Sequence, residues 1–399
     1  MPAPAIAWRN WRASGGVGPA FGAALPASEA NVEPEKQDEI VVSWTLDKIL
    51  RGARKHGASD VHLVRGVAPL FRLNGEIQPI RGEPLDEAAL RGLIDELLPP
   101  AKRKQFEEEW QLCFSRYWGE LGRFRASVYY HGGCPEMAIR LCESSVRSAE
   151  QLRLPPVVDE LTRVTSGLIL VTGPTGMGKT TTLNYMIDVI NRQRRAKIVT
   201  IEDPVEYVHE NIRSVVVQQE VRTDVHSFKD ALRHVLRQDP DVIVIGEMRD
   251  LETIETALIA AETGHLVMAT LHTPDSVQTL HRIYSVFPAA QQNAIIVQLS
   301  GCLQAVVAQK LLPRADGQGR VLACEVCVAT PAIRNLIRER KEHHIYNEMQ
   351  TGRKLQMQTM DSALLELYQR GEITYDVALA NARDPSFIRH RSGEARTPV

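Results

Sequence analysis

Residues 168–191 read LILVTGPTGMGKTTTLNYMIDVIN, and the fold is decided there. The apolar run Leu168-Ile169-Leu170-Val171 is of the length and character of a buried strand. The stretch 173–180 then matches G-x-x-x-x-G-K-[ST], the phosphate-cradling P-loop. Leu183, Met186, Ile187 and Ile190 follow at helical spacing. Strand, glycine loop and helix in that order give the motif its physical sense: the glycines turn backbone N–H groups inward, and the helix N-terminus adds a positive dipole end. Gly173, Pro174, Thr175, Gly176, Met177, Gly178, Lys179, Thr180 and Thr181 are therefore the nucleotide-binding candidates. Lys179 is placed to reach the β and γ phosphates of ATP, and Thr180 to hold Mg2+.

Around this stretch the chain alternates in a way that fixes the fold class. Strands are expected at 197–201, 213–219, 242–245 and 265–271, with helices at 227–238 and 250–263 between them. Val242-Ile243-Val244-Ile245 is apolar throughout, as a central parallel strand is. Beyond Pro274 the pattern reads as largely helical: 277–283, 291–311, 331–340, 362–370 and 375–382, with strand residues at 321–328. The expectation is α/β, with a mostly parallel sheet and a helical C-terminal region.

Upstream lies a smaller module. A helix from 42 has Leu46, Ile49, Leu50 and Ala53 on one face. Residues 60–64 alternate as a strand, and Asn74-Gly75 between 71–73 and 76–77 is a type I′ hairpin signal. Helices at 86–98 and 101–110 and strands at 112–118, 123–130 and 137–141 complete an α+β domain. The expected organisation is an Ala/Pro/Gly-rich disordered extension over 1–42, the small domain over 43–142, a linker over 143–156, the nucleotide-binding domain over 157–385 and a frayed tail over 386–399. Trp8 and Trp11 are unusual in such an extension; a short docking segment is one reading, and a loose tail, since termini are where disorder concentrates, is the favoured one.

Three strand ends carry the remaining chemistry. Glu247 follows Val242–Ile245 and a glycine, where a carboxylate can face Mg2+ or the attacking water. Ile201-Glu202-Asp203-Pro204-Val205-Glu206 places acids where α/β folds bind ligands; Glu202 is the candidate general base, with Asp203 and Glu206 in support. His272, in Thr270-Leu271-His272-Thr273, is placed to read the γ-phosphate state; His265 at the other end of that strand is a weaker candidate. In the small domain Arg123 and Arg125 share one face of a strand, either as a solvated face or as arginines reaching a neighbouring subunit's site. Cys324 and Cys327 form a lone C-x-x-C, short of the four ligands of a structural zinc, and read as strand residues.

Composition excludes some classes. The 399 residues carry a formal net charge of −2, with 44% hydrophobic, 24% charged and 6% aromatic residues. A nucleic-acid translocase would call for a basic groove and stacking aromatics, which this balance disfavours. No apolar run reaches the roughly 18 residues of a membrane span. Six cysteines suit a reducing compartment rather than a disulfide framework. A cytoplasmic protein is expected.

Taken together, GPTGMGKTT, TIEDPVEYVH, DPDVIVIGEMRDLETIETALIAAETGH and ATLHT resemble the signature motifs of the type IV pilus retraction ATPases, the PilT family of the secretion ATPase superfamily. Ala332-Ile333-Arg334-Asn335-Leu336 is similar to the AIRNL motif of that family, and GASDVHL with RFR is similar to its PAS-like N-terminal domain. The resemblance implies a homohexameric ring with ATP between one subunit's N-terminal domain and the next subunit's RecA-like core. It also implies ATP-driven pilus disassembly and twitching motility, at the cytoplasmic side of the inner membrane, through a platform protein. Direction of work comes from the resemblance alone. Two departures stand out: Met177 replaces the family's serine, and His131-Gly132-Gly133 stands where its second N-terminal arginine is expected, which suits an accessory motor partnered by a paralogous ATPase. Assembly ATPases of the superfamily resemble a larger architecture with a tetracysteine zinc site, and a nucleotide-gated scaffold without turnover is a further alternative.

Overall fold

A computed structural model describes residues 44–73, 76–142 and 145–391. The extension over 1–42, with Trp8 and Trp11, the hairpin turn Asn74-Gly75 and residues 392–399 lie outside the described residues. Helix α1 (Leu46–Lys55) starts from Thr45, whose hydroxyl accepts from Lys48 N–H, and buries Leu46, Ile49, Leu50 and Ala53. Strands β1 (Asp60–Leu63), β2 (Leu70–Leu73) and β3 (Glu76–Pro79) follow, then α2 (Glu87–Leu97), α3 (Pro100–Glu109), β4 (Gln111–Tyr117), β5 (Arg123–His131) and β6 (Cys134–Leu141). The six strands form one antiparallel sheet in the order β3-β2-β1-β6-β5-β4. Val61, Phe71, Ile139, Ala126 and Phe114 line the face that packs on the helices. Register sets Arg72, Asp60, Arg140 and Arg125 side by side across the other face, which is the pleat's polar side.

Short helices α4 (Ala149–Leu152) and α5 (Val157–Leu161) lead into the second sheet. Its elements run β7 (Gly167–Thr172), α6 (Lys179–Gln193), β8 (Lys197–Glu202), β9 (Val215–Glu220), α7 (Phe228–Val235), β10 (Val242–Ile245), α8 (Leu251–Glu262), β11 (Leu266–Leu271), α9 (Ser276–Ser285) and α10 (Ala289–Cys302). Then come β12 (Leu303–Pro313), β13 (Arg320–Val328), α11 (Pro331–Arg338), α12 (Ile345–Thr351), α13 (Met360–Gln369), α14 (Tyr375–Asn381) and α15 (Pro385–Arg391). The strand order is β13-β12-β7-β11-β10-β8-β9, parallel except for β13. Alternate residues of β7 feed two cores: Leu168 and Leu170 pack with α7 to α10, whereas Ile169 and Val171 pack with α5 and α6. This is the expected RecA-like α/β core, with the smaller α+β domain before it.

Two expectations are corrected. The helix expected over 291–311 ends at Cys302, and Leu303 onward is a strand between β7 and β13. Ala305-Val306-Val307-Ala308 is buried on both faces, and a continuous apolar run reads the same in a central strand as in a buried helix. Residues 386–391, the first part of the expected frayed tail, are helical instead: α15 plants a fully buried Ile388 against the cluster around Leu364 and Leu365. Arg334 of α11 secures the helix-to-strand break: its guanidinium donates to the carbonyls of Ser300 (2.8 Å), Gly301 and Ala329 (3.0 Å). A charged side chain thus satisfies the last carbonyls of α10. Arg334→Ala is expected to lower unfolding free energy by about 1.5–3 kcal/mol, the worth of charge-assisted hydrogen bonds, read by denaturant titration.

Candidate nucleotide site

The P-loop leaves the C-terminal end of β7 with its backbone pressed against β12. A Cβ on Gly173 (φ 140°) would stand 2.4 Å from the Gln309 carbonyl oxygen, so glycine is required by contact as well as by φ. Gly176 and Gly178 sit at φ 79° and 81°, the left-handed region that favours glycine. Gly178 opens α6, so the helix N-terminus faces the loop. Lys179 is buried, and its ammonium donates to the carbonyls of Gly173 (2.7 Å) and Pro174 (3.0 Å). Burial pulls its pKa down, and the carboxylate of Glu247 opposes that shift. Met177 docks sideways: its Sδ accepts from Leu311 N–H at 3.1 Å, so the residue that departs from the family pattern anchors the loop to β12. Arg320 donates to the Gly176 carbonyl (3.3 Å), and Gln309 to the Thr182 hydroxyl (2.7 Å).

The neighbouring strand ends bring side chains toward Lys179. His272 Nε2 lies 2.7 Å from Glu247 Oε1, and its Nδ1 lies 3.4 Å from both Lys179 Nζ and Thr175 Oγ1. With the proton assigned to Nε2, the ring donates to Glu247 while Nδ1 accepts from the lysine or threonine. One imidazole therefore bridges the P-loop lysine and the strand-end acid. Glu247 is also gripped by Arg249. Burial alone would raise the Glu247 carboxyl, but the Arg249 hydrogen bond and charge, with the hydrogen bond from His272, outweigh it and hold it below the usual carboxylate range. The segment is fixed by Gly246 N–H to Ile201 O (2.8 Å) and Met248 N–H to Thr270 O (3.1 Å). The backbone cradle, a lysine, the Thr180 hydroxyl and the Glu247 carboxylate form a donor set that fits a nucleoside triphosphate with Mg2+.

Other candidates lie elsewhere. Glu202 ends β8, three strands from β7, about 14 Å across the sheet at the usual strand spacing. It is 6% exposed and accepts from Thr200 Oγ1 (2.6 Å) and Gln218 Nε2 (3.1 Å). Burial pushes its pKa up against those hydrogen bonds. Arg123 is held by Glu220, the last residue of the edge strand β9. Glu220 also accepts from Val205 N–H (3.1 Å) and the Thr223 hydroxyl (2.9 Å), so within one chain Arg123 ties the small domain to the far edge of the sheet rather than to the P-loop. His265 lies at the opposite end of β11 and contacts the Ala260 carbonyl (3.1 Å). Cys324 and Cys327 are buried in separate cores on opposite faces of β13, so they cannot share a metal. Sequence reasoning missed the role of Arg249; the one signal was its place two residues after Glu247.

Residues 35–383 match the family described as Type II/IV secretion system protein. The type IV pilus retraction ATPase PilT of Pseudomonas aeruginosa is 43% identical over 85% of this chain and 98% of its own length. The type IV pilus ATPase PilU of the same organism is 39% identical over 86% of this chain and 90% of its own. A crystal structure of the pilus retraction motor PilT with bound ADP superposes with a TM-score of 0.81 at 45% identity, covering 86% of this chain and 98% of that one. With a P-loop core of this shape and relatives matched over nearly their whole length, the chain belongs to the type II/IV secretion system protein family, in its PilT branch of type IV pilus retraction ATPases.

Proposed function

We propose that the protein is an ATP-hydrolysing motor that assembles as a homohexamer and drives type IV pilus retraction, converting ATP and water to ADP and phosphate. The observation that carries the reading is the chain of contacts from Lys179 through His272 to Glu247, which joins the P-loop to two neighbouring strand ends. In this reading the backbone of 173–181 cradles the phosphates and Lys179 offsets charge between the β and γ positions. Thr180 and Glu247 hold Mg2+, which when bound neutralises charge that develops on the phosphates. His272 senses the γ-phosphate through the lysine on one side and Glu247 on the other. Glu202, whose burial raises its proton affinity, is the base for the attacking water, and Asp203 and Glu206 shape the acidic turn around it.

Arg123 completes a neighbour's site in the ring, the small domain over 43–142 carrying it and the linker over 143–156 setting its reach. The mechanical output passes to an inner-membrane platform protein, with the motor peripheral at the cytoplasmic face. None of the helices among the described residues is long and apolar enough to cross a membrane. A second reading, an accessory motor working beside a paralogue, is favoured by the His131-Gly132-Gly133 stretch and the likeness to PilU.

The test is phosphate release by the purified full-length protein with magnesium, over a range of protein concentrations. Turnover per protomer is expected to rise with concentration and to vanish in Lys179→Ala. Arg123→Ala is expected to lose about 10³-fold or more, as trans-acting arginines do in other phosphoryl transfers. Release equal to that of Lys179→Ala at every concentration defeats the motor. In a deletion strain, loss of twitching motility supports a main motor. Motility that disappears only when the paralogue is weakened as well supports the accessory reading.

A further inference from the structure

Glu325 is a carboxylate buried in β13, 2% exposed, and no part of the mechanism above uses it. Its Oε1 accepts from the N–H of Ser276 at 2.8 Å. Ser276 is the first residue of α9, so the carboxylate caps a helix N-terminus from another strand, where the dipole favours negative charge. Asp275 caps the same helix from within, accepting from Gln278 N–H (2.8 Å). The helix matters because of what precedes it: only Thr273, Pro274 and Asp275 separate it from His272.

That short segment is held at three points. Leu271, before His272, is in register with Thr172, the last residue before the P-loop. Thr279, one turn into α9, has its hydroxyl 2.7 Å from Thr273 Oγ1 and 3.4 Å from Thr172 Oγ1. Glu325 fixes the far end by holding the start of α9 on β13. Burial raises the Glu325 carboxyl and the Ser276 N–H opposes it, the balance of a group kept inside by its hydrogen bond. An imidazole that must meet Glu247 at 2.7 Å and Lys179 at 3.4 Å tolerates little drift of its backbone.

We propose that Glu325 is a positioning residue for His272: by pinning the N-terminus of α9 to β13 it sets the distance of the imidazole from both Lys179 and Glu247. The proposal rests on the role given to His272 above. Its consequence is that β12 and β13 do more than extend the sheet. They fix the nucleotide site from both sides, through Gln309 and Leu311 at the P-loop and through Glu325 at the histidine.

The test compares Glu325→Ala, Glu325→Gln, His272→Ala and the double variant Glu325→Ala/His272→Ala of the full-length protein. Each is assayed for kcat and for affinity toward a fluorescent ATP analogue. A misplacement on the ångström scale costs up to about 10²-fold in rate. Glu325→Ala is expected to lower kcat about tenfold or more with nucleotide affinity within about threefold. Glu325→Gln keeps an acceptor oxygen for Ser276 and is expected to stay within about threefold of the parent. In the His272→Ala background the Glu325→Ala change is expected to do nothing further. An equal fold-loss in both backgrounds, a glutamine variant as poor as the alanine one, or an unchanged kcat overturns the proposal. A His272→Ala enzyme with parental kcat instead overturns the role of the histidine itself.

Where His272→Ala leaves no measurable turnover, hydrogen–deuterium exchange over 272–278 decides. Faster exchange in Glu325→Ala but not in Glu325→Gln supports the proposal, and equal exchange sinks it. Should Glu325→Ala not fold, Thr279→Val cuts the second tether and is expected to show the same loss of kcat with retained affinity. A Thr279→Val enzyme with parental kcat overturns the proposal.

Discussion

Glu247→Gln is expected to bind ATP within about threefold of the parent and to release phosphate about 10²–10³-fold more slowly. The substitution keeps size and one acceptor oxygen, so the contacts that now reach Glu247 Oε1, from His272 Nε2 at 2.7 Å and from Arg249, retain a partner. What is lost is a negative charge kept ionised by the Arg249 hydrogen bond and charge and by the hydrogen bond from His272, which together exceed the opposing effect of burial. In the proposed function, phosphate grip comes from the backbone of the loop and from Lys179, whose contacts with the Gly173 and Pro174 carbonyls the change leaves in place. In the proposed function, organisation of Mg2+ and of charge developing in the transition state depends on the carboxylate. A loss of 10²–10³-fold corresponds to about 2.7–4 kcal/mol of barrier, within the range of one well-placed electrostatic group. The depressed carboxyl also adds a pH signature. A group of lowered pKa stabilises the folded state above its unfolded value, and the contribution disappears as pH falls through the folded one, so the parent is expected to lose stability on acidification that Glu247→Gln does not have to lose. Isothermal binding and phosphate-release assays on one preparation separate the outcomes. Parental turnover removes Glu247 from the chemistry, and collapsed binding means that its charge organises the loop instead.

Most of the core was legible because its signals are local. The apolar runs of β7, β10 and β11 are buried at every position, and runs of that kind are short enough to exclude helices. The P-loop carries its own glycines. What escaped was β12. Residues 303–313 have the composition of the helix before them, and only pairing with β7 on one side and β13 on the other makes them a strand. That decision is tertiary, and the residue that enforces it, Arg334, lies in a helix two elements away. A motif read as a marker of function thus has a direct structural task.

The site shows the same division. Lys179 could be picked from the P-loop, and Glu247 and His272 from strand ends, but not their order of contact. That the imidazole stands between lysine and carboxylate follows from β11 lying between β7 and β10, which no spacing along the chain records. Glu202 reads like Glu247 in sequence, yet it lies one strand further from the P-loop and is deeply buried among Thr200 and Gln218. Arg123 was legible as a functional arginine, but its partner Glu220 sits at the end of a strand whose neighbours are set only by the crossover order. Met177 looked like a mere departure from pattern. Its thioether contact with Leu311 depends on β12, the element the sequence hid.

Gly173→Ala is expected to be among the most damaging single-methyl additions at the described residues. The added carbon would stand 2.4 Å from the Gln309 carbonyl oxygen, inside any tolerated contact, and the obstacle is backbone, not a side-chain tip that can swing away. Neither wall yields easily. Gln309 is fixed in the ladder of β12 opposite Cys324, and its side chain is engaged with Thr182 of α6. Gly173 itself sits at φ 140°, a conformation that costs an L-residue about 1–3 kcal/mol before any overlap. Overpacking against a rigid neighbour adds about 1–3 kcal/mol more. The total of roughly 2–6 kcal/mol can be shed in two ways. The loop can shift off β12, which drags the Lys179 ammonium from the Gly173 carbonyl and the backbone cradle from its phosphates; or β12 can shift, which disturbs Leu311 and the Met177 anchor. Both routes lose nucleotide. Binding of ATP and ADP is therefore expected to weaken about 10²-fold or more, with a lowered melting temperature that added nucleotide fails to restore. At Gly176 a Cβ meets nothing within 4 Å, so Gly176→Ala carries the backbone strain of its φ without the collision and is the matched control. If both variants bind alike, close approach to β12 is not what demands glycine at 173.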